Sequence, residues 1–364
     1  MERITPAERA IWAAFASDLY FGPTHLNELL ALNETLQSIW EKPEHELKKI
    51  PIRSATLQAI VKLRTNVDPI KVLTNLQKQG IKFITRFDAD YPALLGEITV
   101  PPVVLYIRGK LENKNHTNVA IVGSRRMTTY GKRTAEYISR SLAQSGITIV
   151  SGLALGIDSV SHKAALEAEG ITWAVLGCGL DQIYPSSHTQ LGERILSNGG
   201  ALISEFPPGT PALRHHFPIR NRIIAGLCSA TIIVEATERS GTLSTARAAL
   251  DANREVFAVP GSIFSPNSVG SHALLKSGAG LLHTPNDILE ALGLEMKSSD
   301  RPVTQLTSVE SVIFATLSHE PMLLDDLITA TQLTSSAIVS TLTLMEIKGL
   351  VQTAGQGRYV RSHS

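Results

Sequence analysis

Residues 119–158 read VAIVGSRRMTTYGKRTAEYISRSLAQSGITIVSGLALGID, and their pattern decides the fold. Val119–Val122 is a short apolar run ended by Gly123. Thr134–Gln144 has apolar positions at helical spacing, and Thr148–Val150 is a second apolar run ended by Ser151 and Gly152. Runs that are apolar throughout, as opposed to alternating, suit strands covered on both faces. The pattern repeats beyond this stretch. Asp158–Ala168 is helical in spacing, and Trp173–Leu176, Leu202–Ser204, Thr231–Val234 and Val256–Val259 are further strand candidates. Strand then helix, six times over, predicts an α/β fold with a doubly wound, extended Rossmann-like parallel sheet. Such sheets hold ligands at the carboxyl ends of their strands, so the loops after the strands are where function is sought.

The flanking segments differ in kind. Residues 1–75 read as short helices punctuated by Pro23, Pro43 and Pro51 and form a small helical domain. FGPTHLNELL within it resembles a helix-hairpin-helix or a plain packing module, and both readings stay open. The sheet domain is placed at 76–295, and a polar linker at 296–305. Residues 306–364 show three helical stretches followed by strand, glycine turn and strand, the plan of a winged helix. Its third helix, from Ser335 to Lys348, offers Lys348 as its one base-reaching cation, so a docking or structural role is as fitting as groove reading.

Composition bounds the function. The 364 residues are 43% hydrophobic and 18% charged, enough to bury a core and too few charges for wholesale disorder. No apolar run approaches the ~20 residues of a bilayer helix, and the amino terminus lacks a signal-peptide pattern. A cytoplasmic protein without membrane contact is expected. Thirty-four Lys and Arg oppose thirty-three Asp and Glu, so nucleic-acid binding would need a local basic patch. Cys178 and Cys228 form no CxxC pair, and no metal site is expected.

Four loops carry the candidate chemistry. After the first sheet strand, Gly123 allows a sharp turn, Ser124 and the next amides suit an anion, and Arg125 sits in the turn itself. Arg126, Lys132 and Arg133 add charge nearby or simply solvate a helix face. Ser151 and Gly152 open the second loop. Asp158 and His162 follow at i, i+4, as an acid/base pair or as local clamps. In SEFPPGTPALRHHFPIRNRIIAGL, residues 204–227, Arg214, Arg220 and Arg222 crowd around Phe217, with Asn221 placed to pair with a base edge or orient an arginine. Arginines around an aromatic suit single-stranded nucleic acid: guanidinium groups track phosphates while the ring stacks a base. Ser240, Gly241 and Thr242 form another anion-ready turn.

Enzyme readings find little support. A Walker loop needs GxxxxGK[ST], and the distance from Gly123 to Gly131-Lys132 is too long. GxGxxG is absent from the first turn. The rival on a similar sheet is a nucleotide-processing hydrolase of the lysine-decarboxylase-like (phosphoribohydrolase) type, which uses GGxGTxxE. Here Leu243-Ser244-Thr245 follows Gly241-Thr242 and supplies no glutamate. Asp158, Glu205 and Glu235 remain as acidic candidates near the loops.

The motifs GSR (123–125), SGLALGID (151–158), AVLGCGLDQIYP (174–185), SEFPPG (204–209), FPIRNRIIAGL (217–227), SGTLSTA (240–246) and VFAVPG (256–261) together resemble the DNA-processing protein A (DprA/Smf) family. The resemblance spans roughly residues 80–285, with His188 and His272 where that family's pattern has asparagine. It implies a non-enzymatic, cofactor-free protein that binds single-stranded DNA. Such a protein protects incoming DNA in natural transformation and loads the recombinase RecA onto it, displacing single-strand binding protein. It also implies a homodimer formed through the sheet domain, and DNA contacts at Arg125, Arg214 and Phe217. The apolar stretch from Val256 to Leu292 fits such an interface. Arg220 and Arg222 join the contacts on charge alone.

Overall fold

The computed structural model describes residues 5–18, 21–32, 34–111, 117–294, 306–318 and 321–361, so the expected linker lies outside the described residues. The chain divides into two compact units, residues 1–297 and 298–364.

The first unit is built on a nine-stranded sheet. Its strands are β1 (Lys82–Thr85), β2 (Val104–Gly109), β3 (Asn118–Val122), β4 (Thr148–Ser151), β5 (Thr172–Val175), β6 (Ala201–Ser204), β7 (Ala230–Ile233), β8 (Glu255–Ala258) and β9 (Gly280–Leu281). Their order is β1-β2-β6-β5-β4-β3-β7-β8-β9. From β6 to β9 every pairing is parallel, as the apolar runs predict. The β1–β2 edge departs from that expectation, because β2 runs antiparallel to both β1 and β6. Only a four-residue helix, Ala93–Gly96, lies between β1 and β2. A parallel return is usually made by a full helix laid across the sheet, and residues 86–103 supply none, so the chain comes back antiparallel.

Both faces of the central strands are covered. Ala135, Ile138 and Leu142 of the Thr129–Gln144 helix pack with Val119 and Ile121 on one face. Ile223 and Ile224 of the His216–Gly226 helix, with Ala246 and Ala249 of Thr242–Asp251, meet Ala120 and Val122 on the other. The amino-terminal helices, from Pro6–Ser17 to Pro69–Lys78, share a core with the β1–β2 edge. Phe15, Phe21 and Leu29 pack there with Phe83, Val104 and Tyr106, and the Tyr106 hydroxyl donates to the Ala16 carbonyl at 2.8 Å.

The second unit has helices Ser308–Thr316, Leu324–Thr331 and Ser335–Ile347 and a three-stranded antiparallel sheet. Its strands β10 (Met322–Leu323), β11 (Val351–Gly355) and β12 (Arg358–Arg361) are ordered β10-β12-β11. Ile313, Leu327, Ile338, Leu342 and Met345 make its core. This is a winged helix.

The winding of the large sheet places the functional crevice. The chain steps outward from β3 through β4 and β5 to β6, then returns to set β7 on the other side of β3. The loops after β3 and β7 therefore part in opposite directions at the strands' carboxyl ends, which leaves a groove between them.

Candidate nucleic-acid groove

The turn after β3 is shaped by two glycines. A Cβ on Gly123 would come within 2.6 Å of the Ile157 side chain, and one on Gly156, whose φ is +82°, would meet the Ser124 carbonyl oxygen at 2.2 Å. Without those side chains the Ile157–Glu167 helix packs directly onto the turn, and Ile157 N–H donates to the Ser124 carbonyl at 3.2 Å. Ser124 is buried, its Oγ accepting from the Arg126 amide at 3.1 Å. Arg125 is thereby thrown outward and is exposed.

Phe217 lies opposite, in the first turn of the His216–Gly226 helix. Its half-buried ring rests on the turn after β5, where a Cβ on Gly177 would stand 3.1 Å from Phe217 Cδ1. The Arg125 guanidinium carbon is 5.1 Å from the Phe217 ring centroid, within cation–π range. The Tyr184 ring lies 5.8 Å away on another side, tilted by 32° and 47% exposed. Arg214 is exposed three residues before Phe217. No carboxylate pairs with Arg125 or Arg214 among the described residues. Sequence reasoning missed Tyr184; its place in IYP, at the end of the loop after β5, was the available signal.

The expectation for Arg220 is corrected. Its side chain is 4% exposed and lies beneath the groove. Nη1 donates to the Gly152 carbonyl at 2.8 Å and closely to that of Val175, while Nε donates to Asn221 Oδ1 at 3.2 Å. A Cβ on Gly152 would strike the guanidinium at 2.4 Å, so the glycine makes room for this arginine and not for a ligand. Asp158, also buried, accepts from the Gly152 and Ala154 amides at 3.1 and 3.4 Å. Burial pushes Arg220 down to about 10 and Asp158 upward, and each charge partly offsets the shift of the other. The guanidinium stays charged at neutral pH and ties the loops after β4 and β5 together.

Arg222 is corrected likewise. Its Nη2 donates to both Glu205 carboxylate oxygens at 2.6 and 2.5 Å, and Nη1 to the Val100 carbonyl at 2.7 Å. Three of its five N–H donors are held by the scaffold and Glu205 pairs with its charge, so Arg222 is not a free phosphate contact. Ser151 is buried too, donating to the Ile121 carbonyl at 2.7 Å. Asn221 takes the orienting role: its Nδ2 donates to the Gly241 carbonyl at 3.2 Å and to Ser244 Oγ at 2.8 Å. It holds the Ser240–Thr242 turn against the helix that carries Phe217. In that turn Ser240 Oγ accepts from the Thr242 amide at 3.2 Å. Gly241 is exposed at the start of the Thr242–Asp251 helix, but the expected anion-ready turn is largely closed on itself: the Leu243 and Ser244 amides donate to the Ser240 and Gly241 carbonyls, each at 3.1 Å.

The acidic candidates are all engaged in the scaffold. Glu205 holds Arg222. Glu235 accepts from the Thr128 amide at 3.0 Å and from its hydroxyl, anchoring the start of the Thr129–Gln144 helix. Asp158 and His162 make no pair. His162 Nδ1 lies 2.7 Å from Thr172 Oγ1, whose proton goes to the Ile149 carbonyl, so the ring nitrogen donates. Burial presses this imidazole's pKa down to about 3, keeping it neutral. The two histidines that depart from the family pattern clamp loops, His188 to the Leu153 carbonyl at 2.8 Å and His272 to that of Gly261 at 3.1 Å. Among the described residues no group of three or more His, Cys, Asp or Glu could hold a metal, and no single helix is long and apolar enough to cross a membrane.

Comparison with known proteins shows the family. Residues 82–293 match the family described as DNA recombination-mediator protein A, and residues 297–357 match the DprA winged helix domain. Protein Smf of Synechocystis is 35% identical, over 98% of this chain and 99% of its own. DNA processing protein DprA of Bacillus subtilis is 41% identical, over 61% of this chain and 75% of its own. DNA processing protein A of Streptococcus pneumoniae superposes with a TM-score of 0.68 at 35% identity, covering 79% of this chain and 98% of that one. The Helicobacter pylori protein, solved for its single-stranded DNA binding mode, gives 0.53 at 29% identity, over 58% and 95%. With the sheet domain and the winged helix both matched, and a relative aligned along nearly its whole length, the chain belongs to the DNA-processing protein A (DprA/Smf) family.

Proposed function

We propose that this chain binds single-stranded DNA in the groove between the loops after β3, β5 and β7, without turnover. The carrying observation is the cluster of Phe217, Tyr184 and Arg125, with Arg214 close in sequence. The half-buried Phe217 and the 47% exposed Tyr184 stand beside arginines that pair with no carboxylate among the described residues, while Asp158, Glu205 and Glu235 are engaged in the scaffold. Arg125 and Arg214 meet phosphates, Phe217 and Tyr184 stack bases, and the Gly123–Ser124 and Ser240–Thr242 turns border the path of the strand. Gly152, Ser151, Arg220, Asn221 and Arg222 set the shape of the groove from behind.

Family membership supports the wider role: protection of incoming DNA in natural transformation and its transfer to RecA in the cytoplasm, with single-strand binding protein displaced. The Helicobacter pylori relative, with its single-stranded DNA binding mode, supports the single-strand preference. A homodimer through the sheet unit fits the exposed Leu281 on β9, the terminal strand of the sheet among the described residues. The division into a helical domain at 1–75, a sheet domain at 76–295 and a winged helix at 306–364 belongs to the same reading. Gel-shift titration with single- and double-stranded oligonucleotides of equal length tests it. Tighter binding of the single strand is expected, and equal binding of the duplex overturns the reading.

A further inference from the structure

The loop after β8 presents two apolar side chains to solvent. Ile263 is 78% and Phe264 90% exposed, the latter the most exposed large apolar side chain among the described residues. The loop itself is firmly anchored. Tyr130 Oη donates to the Pro260 carbonyl at 2.7 Å, Asn267 Nδ2 to the Arg126 carbonyl at 2.9 Å, and the Ala236 amide to the Asn267 carbonyl at 2.8 Å. Inside the loop, Ser262 Oγ accepts from the Phe264 amide at 3.3 Å, and the Ser265 amide donates to the Ser262 carbonyl at 3.0 Å. An exposed phenylalanine on a loop held this way costs solvation without gaining packing, and such a side chain is poised for a partner.

Its surroundings say which partner. Asn267 is bonded to the carbonyl of Arg126, the residue after Arg125, so the loop adjoins the turn that lines the groove. Arg126 is exposed and Tyr130 is 51% exposed, on the turn and helix to which the loop is tied. As at Phe217, an aromatic stands on an anchored turn at this sheet edge, and Tyr130 and Arg126 lie on the elements to which that turn is bonded. We propose that Phe264, with Tyr130 and Arg126, is a second stacking platform for the same DNA strand, at the β8 end of the groove. The proposal rests on the groove being a single-strand site and extends it toward the edge of the sheet.

The test uses the full chain and labelled oligo-dT of two lengths, about 6 and about 20 nucleotides, bracketing common single-strand site sizes. Phe264→Ala is expected to bind the short probe like the parent and the long probe roughly tenfold more weakly, the size of one base–aromatic stack. Phe264→Trp is expected to show indole quenching on adding the long probe, beyond the signal of the three native tryptophans. Phe217→Ala, which strikes the first platform, should weaken both lengths. Equal binding of both probes by Phe264→Ala and the parent overturns the second platform. So does a Phe264→Ala protein that loses self-association in light scattering while keeping its DNA affinity, since the loop then belongs to a second copy. A parent that binds neither probe overturns the groove reading itself, an outcome distinct from these.

Discussion

At the groove edge of the sheet, Arg125 and Arg214 stand exposed near Phe217 with no carboxylate partner among the described residues. On the Ser335–Ile347 helix of the winged helix, Val339, Leu344 and Ile347 are the exposed large apolar side chains, and Lys348 just beyond it is held by Glu310 at 2.6 Å. By position alone, the third helix of a winged helix is the stronger candidate for DNA. By free charge it is the weaker. A cation already tied to a buried carboxylate releases no counterion when a phosphate arrives, so it contributes little to binding. The same test separates neighbours within one segment: Arg214 is available, whereas Arg220 and Arg222, six and eight residues later, are tied to carbonyls and to Glu205.

The largest effect should come from treating Arg220 as if it were a groove residue. Arg220→Ala leaves Asp158 buried without its compensating charge and two carbonyls without a donor, a loss of about 3–5 kcal/mol in folding stability. Urea unfolding reads this directly, and Arg220→Lys should rescue only in part, since the ammonium keeps the charge but ends one bond short of Nη1 and loses the Nε bond to Asn221. Wild-type stability with weakened DNA binding would instead return Arg220 to the groove.

A pH titration sharpens the same contrast between engaged and free groups. His162 stays neutral in the fold, with its pKa near 3 against 6.5 when unfolded. Below pH 6.5 the unfolded chain takes up a proton that the folded chain refuses, so stability falls as pH drops from 6.5 toward 3. His162→Asn should flatten that part of the curve, measured by unfolding at a series of pH values.

Phe217→Ala comes next, with a loss of about 1–3 kcal/mol in single-strand affinity and an almost unchanged salt slope, because stacking releases few ions. Arg125→Ala and Arg214→Ala should each cost less at moderate salt but flatten the slope by about 0.7 for each phosphate no longer neutralised. The smallest effect is expected for a chain ending at residue 297, which should bind single strands as the full chain does. A large loss on that truncation would reverse the comparison in favour of the winged helix.

The parallel strands and their helices were legible because buried strands are written as short, uniformly apolar runs between glycines. The β1–β2 edge was not read, although IKFIT and VVLYIRG carry the residues of strands, because no covering helix separates them and the strand–helix alternation that guided the reading breaks there. Among the expected site residues, Arg125 and Phe217 come together, 5.1 Å apart. Arg220 was misplaced because arginine is so seldom buried that charge was read as surface. Its spacing held the correction: Arg220 precedes Ile223, Ile224 and Leu227 by three, four and seven residues, which sets it on the helix's buried stripe. Tyr184, signalled only by its place in IYP, and Phe264 were missed for another reason. Their significance comes from which loops meet at the sheet edge, and spacing along the chain does not report that.

The central claim is that an aromatic and unpaired arginines at the sheet edge make a single-strand groove. It is tested most directly by titrating parent, Phe217→Ala and Arg125→Ala proteins with single-stranded oligonucleotides at a low and a high salt concentration. The account predicts steep salt dependence for the parent, the same slope with weaker binding for Phe217→Ala, and a shallower slope for Arg125→Ala. Three superimposable salt plots would contradict it and move the DNA site elsewhere on the molecule.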